Sequence, residues 1–248
     1  MHRFYLPSDH CLNSTLELTD TEAHHALRVL RIQPGEQVTV LDGKGHVIMC
    51  VVRETAKRTV TLTVLRKTFS PPLPCSVTLL QAVPKAKAMD YLVQKATELG
   101  AARVVPILAE RTVIHLDGED AGAKTEKWQQ IAIESIKQCG SPWLTKIEAP
   151  MTLKNYLARL EKFDLPLIAS LQEDSRHPRE SIQQFRNEHK RAPKTACVWI
   201  GPEGDFSPAE TSQLQAHGVL PVTLGRLVLR SDTAAVCCLS VLNYELQG

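Results

Sequence analysis

Apolar and polar residues alternate in the first 70 positions of the chain. Three stretches, 36–41, 46–52 and 59–65, place β-branched or apolar residues at every second position, as half-buried strands do. Between the first two stretches, Asp42-Gly43-Lys44-Gly45 supplies the residues that a hairpin turn prefers. Several short strands within about 70 residues predict a small β-barrel.

After a proline-rich segment at residues 69–74, the pattern changes to alternating strands and helices. This alternation predicts an α/β domain with a mostly parallel sheet. The break predicts two domains, at 1–70 and 71–248. The strands are expected at 77–82, 104–108, 165–170, 197–200 and 222–224, and the helices at 89–99, 127–137, 179–190, 209–217 and 233–246.

The charge balance narrows the possible functions. Of the 248 residues, 43% are hydrophobic and 23% charged, which is typical of a globular protein. The formal net charge of +2 excludes a protein that coats nucleic acid by bulk attraction. Residues 1–70 hold nine Lys or Arg and seven Asp or Glu, so the small excess lies wholly in the first part. No apolar run approaches the roughly 20 residues needed to span a bilayer.

The seven cysteines are odd in number and include no Cys-x-x-Cys pair. No signal peptide opens the chain, so free, mostly buried thiols of a cytoplasmic protein are expected. No metal is expected, because the neighbouring His24 and His25 lack partners at ligand spacing.

Residues 198–207 carry the sharpest candidate for chemistry. A buried strand runs into Ile200-Gly201-Pro202-Glu203-Gly204, and Ser207-Pro208-Ala209-Glu210 then has the pattern of a helical capping box. Ligands of open α/β sheets bind at the carboxyl ends of strands, where this loop lies. A tight turn without a ligand explains the glycines equally well, but it does not explain Glu203 between them.

Residues 224–235 form a second candidate loop. A strand ends near Leu224-Gly225, and Ser231-Asp232-Thr233 is expected to cap the next helix. Arg230, beside this cap, can neutralise charge on a substrate. The chain has no Gly-x-Gly-x-x-Gly and no phosphate-loop Gly-Lys-Ser/Thr, so ordinary dinucleotide and nucleoside triphosphate binding lose support.

Basic residues suggest an anionic partner at two places. A helix at 22–30, capped by Thr19 or Asp20, would place Arg28 and Arg31 on one face, and Arg3 could join them in binding phosphate. A solvated amphipathic face is the alternative. Farther on, Lys85 and Lys87 follow one strand and Glu110-Arg111 follows the next.

Together, these segments resemble the RsmE-type family of bacterial small-subunit ribosomal RNA uracil-N3 methyltransferases, in the SPOUT superfamily. The resemblance covers essentially the whole chain, in the family's order. It rests on Met1-His2-Arg3-Phe4, His25-x-x-Arg28-Val29-Leu30-Arg31, and residues 84–100, 110–111, 200–207 and 224–235. The chain departs from the family at Asp205, where a glycine is expected, at Arg226-Leu227 in place of Pro-Arg, and at Ser231-Asp232-Thr233 in place of Thr-Glu-Thr.

The resemblance implies an N-terminal PUA-like barrel that binds RNA and a C-terminal α/β domain with a deep trefoil knot. It also implies a homodimer, 16S ribosomal RNA as substrate and S-adenosylmethionine as cofactor. At the matching positions of this chain, the resemblance implies a set of cofactor-binding residues. They are Ser170, Leu171, Ile200, Gly201, Pro202, Glu203, Gly204, Leu224, Gly225, Val228, Leu229, Asp232, Thr233 and Ala234. The RNA-binding residues are Arg3, His25, Arg28, Arg31, Lys85, Lys87 and Lys95.

Methylation of uracil N3 requires that the N3 proton leaves and that negative charge on O2 and O4 is stabilised. Glu203 is the candidate base, Arg230 the candidate charge stabiliser and Arg111 a second cation. Two alternatives stay open: a related SPOUT enzyme acting on a ribose 2′-hydroxyl, and a non-catalytic RNA-binding module in ribosome assembly.

Overall fold

The computed structural model describes residues 1–85, 88–112, 118–170 and 175–247. It divides into two compact units. The first comprises Met1–Pro72 and Ile133–Leu144, and the second comprises Leu73–Ala132 and Thr145–Gly248. The predicted boundary at residue 70 falls in the segment after the last strand of the first unit, and the domain limits 1–70 and 71–248 stay a prediction.

The first unit contains one five-stranded sheet in the order β1-β3-β4-β5-β2. β1 pairs with β3 in parallel, and the other neighbours are antiparallel. The three predicted strands are confirmed, whereas β1 and β2 were missed because each has only four residues. The strands are β1 (His2–Tyr5), β2 (Thr15–Leu18), β3 (Gln37–Leu41), β4 (His46–Thr55) and β5 (Val60–Phe69).

The predicted hairpin turn joins β3 to β4. Gly43 and Gly45 both have positive φ, and the buried Asp42 accepts hydrogen bonds from the backbone N–H groups of Lys44 and His46. Apolar side chains that include Phe4, Leu16 and Ile48 form the core of this unit.

The predicted helix of the first unit has an irregular second half. Helix α1 (Asp20–His24) continues into a π-helical segment (His25–Leu30), which ends at Arg31 with a φ of 55°. Arg31 therefore lies outside the helix, and the argument that Arg28 and Arg31 share an α-helical face does not apply. A π-helical turn is wider than an α-helical one and is often found at functional sites.

The second unit contains a seven-stranded, wholly parallel sheet. Its order is β12-β10-β11-β6-β7-β8, with β9 also paired to β7. The predicted parallel sheet is confirmed, but the last strand ends at Val222 rather than Leu224. The strands are β6 (Ser76–Ala82), β7 (Arg103–Leu108), β8 (Lys146–Ile147), β9 (Met151–Thr152), β10 (Leu165–Ala169), β11 (Thr195–Ile200) and β12 (Leu220–Val222).

Helices cover the sheet of the second unit. The five predicted helices are present, and the short α4 was missed. One apolar cluster, around Trp199, Tyr156 and Leu214, lies on one side, while α2 packs against α7 and α7 against β6 and β11. The helices are α2 (Ala88–Glu98), α3 (Gly118–Cys139), α4 (Leu153–Leu157), α5 (Pro178–His189), α6 (Pro208–Ala216) and α7 (Ser231–Leu246). The part of α3 from Ile133 onward belongs to the first unit. Among the described residues, no helix is long and apolar enough to cross a membrane.

Candidate active site

A cavity of about 550 Å³ opens at the carboxyl ends of β10, β11 and β12. These strands are neighbours and parallel, so the loops that follow them meet at one edge of the sheet. Two of the loops carry the motifs singled out in the sequence. The predicted site residues that line the cavity are Ser170, Ile200, Gly201, Pro202, Glu203, Leu224, Gly225, Val228, Leu229, Arg230, Asp232 and Ala234.

The loop after β11 has a shape that requires glycine at its start. A Cβ on Gly201 would lie 2.8 Å from the carboxylate oxygen Oδ1 of Asp205 and 3.1 Å from the backbone nitrogen of Phe206. The Asp205 N–H closes a turn on the Pro202 carbonyl at 2.9 Å, and Asp205 itself has a φ of 59°. Asp205, where the family's glycine was expected, thus adopts the left-handed backbone that glycine adopts readily.

The predicted capping box at the start of α6 is confirmed. The Ser207 hydroxyl accepts from the Glu210 N–H, and the Glu210 carboxylate accepts from the Ser207 N–H. The other Glu210 oxygen accepts from the Glu110 N–H at 2.8 Å, which connects this loop to the end of β7.

Arg111 supports the same loop from outside the cavity. Its guanidinium donates to the Gly204 carbonyl at 2.6 Å, and its side-chain carbons lie beside the Gly204 backbone. Neither Arg111 nor Gly204 lines the cavity. The geometry gives Arg111 a structural contact, and its role as a second catalytic cation stays a prediction.

Glu203 lies on the cavity wall and has one hydrogen bond that fixes its position. The carboxylate oxygen Oε1 accepts from the Lys85 backbone N–H at 3.0 Å, and the Lys85 side chain is exposed. The segment after β6 therefore meets the loop after β11 at this carboxylate. Two residues predicted here, Leu171 and Lys87, lie outside the described residues.

Helix α7 begins at Ser231, two residues earlier than predicted. Its N-cap is Arg230, whose side chain makes no capping bond, and Ser231 is already helical. The prediction that Ser231 caps the helix is wrong, because its hydroxyl donates instead to the Gly201 carbonyl at 2.6 Å. Asp232 accepts from the Thr233 N–H at 2.8 Å, and Thr233 does not line the cavity.

The walls of the cavity are largely apolar, with a few charged groups. Leu227 and Val228 line it and are 78% and 77% exposed, so this loop presents apolar side chains that other protein groups leave uncovered. Among the described residues, the lining carboxylates are Glu203, Asp205 and Asp232, and the lining cation is Arg230. The volume lies within the roughly 300–1,000 Å³ of small-molecule sites. The cavity therefore suits a partly apolar ligand that carries positive charge.

Sequence reasoning missed Pro84, Ala88, Asp205 and Thr223 as lining residues. Pro84 and Ala88 both follow the end of β6, and only the sheet order places them beside the other loops. Leu227, a departure from the family pattern within the predicted loop 224–235, also lines the cavity.

The predicted RNA-binding residues that the structure describes differ in their contacts and exposure. In the first unit, the Arg3 guanidinium donates to the Lys137 and Gln138 carbonyls at the end of α3, while Arg28 and Arg31 are exposed. His25 is half-buried with its ring edge toward Phe4. In the second unit, Lys95 pairs with Glu98 on α2 at 2.7 Å. An RNA-binding role for all of them stays a prediction.

The seven cysteines are free thiols, as predicted, and five are buried. Burial raises the pKa of the Cys197 and Cys238 thiols to about 12, so both are protonated at neutral pH. In the described part of the chain, no group of three or more His, Cys, Asp or Glu side chains is placed to hold a metal ion.

Comparison with known proteins agrees with this architecture. Residues 71–243 match the family described as an RNA methyltransferase domain, and residues 18–65 match an RNA methyltransferase PUA domain. The ribosomal RNA small subunit methyltransferase E of Aquifex aeolicus is 33% identical over 98% of this chain and 99% of its own.

Two solved structures are also similar. A putative methyltransferase from Legionella pneumophila, in complex with S-adenosylmethionine, has 31% identity and a TM-score of 0.86 over 98% of this chain and 96% of its own. The ribosomal RNA small subunit methyltransferase E of Neisseria gonorrhoeae, bound to S-adenosylmethionine, has 26% identity and a TM-score of 0.84 over 98% of this chain and 97% of its own.

Fold and site thus define an RNA methyltransferase with an N-terminal PUA-like domain. Within that class, the chain belongs to the ribosomal RNA small subunit methyltransferase E family. The trefoil knot that the resemblance implied stays a prediction.

Proposed function

We propose that this chain uses S-adenosylmethionine to methylate N3 of one uridine in 16S ribosomal RNA. The observation that carries the proposal is the cavity at the ends of β10, β11 and β12, with Glu203 and Arg230 on its wall. A carboxylate and a guanidinium at one cavity are the two groups that the reaction at a uracil ring requires.

The cavity residues fit the proposed cofactor. S-adenosylmethionine has an apolar adenine face and two cationic groups, the sulfonium and the ammonium, which suits apolar walls with three carboxylates. The loops at 200–204 and 224–234, together with Ser170, would hold it. When bound, it supplies an electrophilic methyl group.

Glu203 is placed to take the N3 proton. Its Oε1 atom accepts from the Lys85 N–H, which holds the carboxylate at the cavity wall. Removal of the N3 proton makes that nitrogen nucleophilic, and positioning of the two large reactants supplies much of the remaining rate enhancement.

Arg230 is placed to stabilise the negative charge that spreads onto O2 and O4 of the uracil. It occupies the N-cap of α7, where the positive end of the helix dipole disfavours a cation. A cation retained at an electrostatically unfavourable position, on the wall of a ligand cavity, supports a role toward an anionic reaction centre.

The target uracil must be unpaired and splayed out to enter the cavity. Segment 1–70, with Arg28 and Arg31 exposed, would contact the surrounding RNA, and 71–248 would carry out the transfer. The small excess of positive charge supports selective binding to a folded target rather than to arbitrary RNA. We further propose a homodimer that acts in the cytoplasm on RNA within the small ribosomal subunit.

The decisive substitution is Glu203→Gln, which keeps the side-chain shape and removes the base. S-adenosylmethionine affinity, measured by calorimetry, should survive, while the single-turnover rate of RNA methylation should fall about 100-fold or more. The exposed Glu126→Gln serves as the matched control. An unchanged methylation rate would refute the assignment of Glu203. Digestion of the product RNA to nucleosides separates N3-methyluridine from a 2′-O-methylated nucleoside.

A further inference from the structure

One fully buried amide lies beneath the cavity and has no role in the reaction proposed above. Gln81 is the sixth residue of β6 and is 0% exposed, in a strand whose other interior positions are almost all apolar. In the sheet it lies opposite Ile200, the last residue of β11 before the cavity loop begins.

The Gln81 side chain is the start of a directed chain of hydrogen bonds. Its Nε2 donates to the Ala82 carbonyl and to the Ser231 hydroxyl oxygen, each at 2.9 Å. The Ser231 hydroxyl in turn donates a hydrogen bond to the Gly201 carbonyl at 2.6 Å.

The direction of this chain follows from the groups present. The Ala82 carbonyl can only accept, so the amide nitrogen and not the amide oxygen must face it. The Ser231 oxygen accepts the hydrogen bond from Gln81, and its single hydrogen is free to donate to the Gly201 carbonyl.

These bonds connect the two loops that supply most of the cavity wall. Gly201 opens the loop after β11, and Ser231 follows directly after the 224–230 loop. Gln81 belongs to β6, a central strand paired on both sides, and is therefore a fixed reference point. Among the described residues, its Oε1 atom has no hydrogen-bond partner, a cost that an apolar residue would avoid.

We infer that Gln81 is a positioning residue that, through Ser231, holds both cavity loops in the arrangement that binds the cofactor. We call the Gln81–Ser231–Gly201 chain of hydrogen bonds the latch. This inference rests on the proposed function for the identity of the ligand, but the latch itself is a property of the protein without ligand.

The test uses Gln81→Met, which keeps the volume and removes both amide bonds, and Ser231→Ala, which removes the hydroxyl. Gln94→Met on the exposed face of α2 and Ser240→Ala on the exposed face of α7 are matched controls. Each latch variant should weaken S-adenosylmethionine binding about fivefold to tenfold by calorimetry, because one or two hydrogen bonds are lost.

The double variant and a rescue separate positioning from general destabilisation. Both residues act through one chain of hydrogen bonds. The double variant should therefore bind S-adenosylmethionine as well as whichever single variant has the lower affinity. Ser231→Thr retains the hydroxyl and should restore most of the affinity. Amide hydrogen exchange without cofactor should accelerate in residues 201–206 and 224–231 of the latch variants, and not in the controls.

Failure of the proposed cofactor assignment and failure of the latch would give different experimental results. If the unmodified protein does not bind S-adenosylmethionine, the proposed cofactor is wrong, and hydrogen exchange still decides whether the latch orders the loops. If the unmodified protein binds the cofactor and both single variants bind it equally well with unchanged exchange, the latch is refuted. Multiplicative losses in the double variant would also refute it, since they would show two independent effects.

Discussion

The two edges of the parallel sheet use charged side chains in opposite ways. Near the strand starts, arginines are paired with carboxylates: Arg103 contacts Glu148 and Glu161, and Arg159 contacts the second oxygen of Glu148 at 2.6 Å. At the strand ends, Glu203 and Arg230 line a cavity, and in the described part of the chain neither has an ion-pair partner.

The difference separates charge used for stability from charge kept available for a ligand. A paired charge has already replaced its hydration water with a protein partner, so it is not available to bind a substrate. Glu203 and Arg230 are exposed, so water solvates their charges in the free protein, and both remain available to a ligand. Substitutions at the two edges should therefore change different measurements.

The largest effect is expected at the strand ends, from Arg230→Met. The single-turnover methylation rate should fall about 100-fold, because the charge on the uracil oxygens loses its stabilising cation. The affinity for S-adenosylmethionine, measured by calorimetry, should change by much less. Arg226→Met, in the same exposed loop but not on the cavity wall, is the control. An equal decrease of the methylation rate in both variants would show that Arg230 contributes no more than another cation of the same loop.

An intermediate effect is expected at the strand starts, from Glu148→Gln. Burial alone would raise the pKa of Glu148, but the hydrogen bond from Arg159 and the charges of Arg103 and Arg159 outweigh it and lower the pKa from its usual 4.5. A lowered pKa means that the ionised carboxylate stabilises the fold at neutral pH and that this contribution disappears as the pH falls through the folded-state pKa.

The Glu148→Gln variant should therefore lose about 2 kcal/mol of unfolding free energy at neutral pH, as expected for hydrogen bonds to a charged group. Urea unfolding should show the difference shrinking as the pH is lowered below 4.5. Cofactor affinity should not change. A difference that stays constant with pH would show that packing, not charge, accounts for the loss.

The smallest effect is expected from Arg191→Gln, at an exposed pair near the strand starts. Arg191 donates two hydrogen bonds to the Asp164 carboxylate, and this contact holds the pKa of Asp164 well below its ordinary value. Because solvent screens the pair, we expect only a small decrease in Tm, which high salt should remove. A large decrease in Tm that high salt does not remove would show that this pair, like the buried network around Glu148, is shielded from solvent.

Local sequence patterns were sufficient for the parts of the fold that depend on neighbouring residues. The alternation of strands and helices, the hairpin turn at Gly43 and the capping box at Ser207 all involve residues within a few positions of each other. The two loops singled out in the sequence also line one cavity, because parallel strands bring their carboxyl ends together.

The features that were missed depend on contacts between distant residues. Ser231 appeared to be a helix cap, since nothing in its neighbourhood shows that its hydroxyl reaches a carbonyl 30 positions earlier. Gln81 gave no signal at all, because its partner lies 150 positions away. The sequence pattern also gave no signal for the π-helical segment before Arg31.

The order of the strands also determines when this site can exist during synthesis. β6 lies in the middle of the sheet but comes first in the second unit, and its partner β11 follows more than 100 residues later. Pairings this distant in sequence form slowly and leave strand edges exposed in the meantime. The cavity draws on residues from Pro84 to Ala234, so a growing chain has no binding site until nearly all of the second unit has been made.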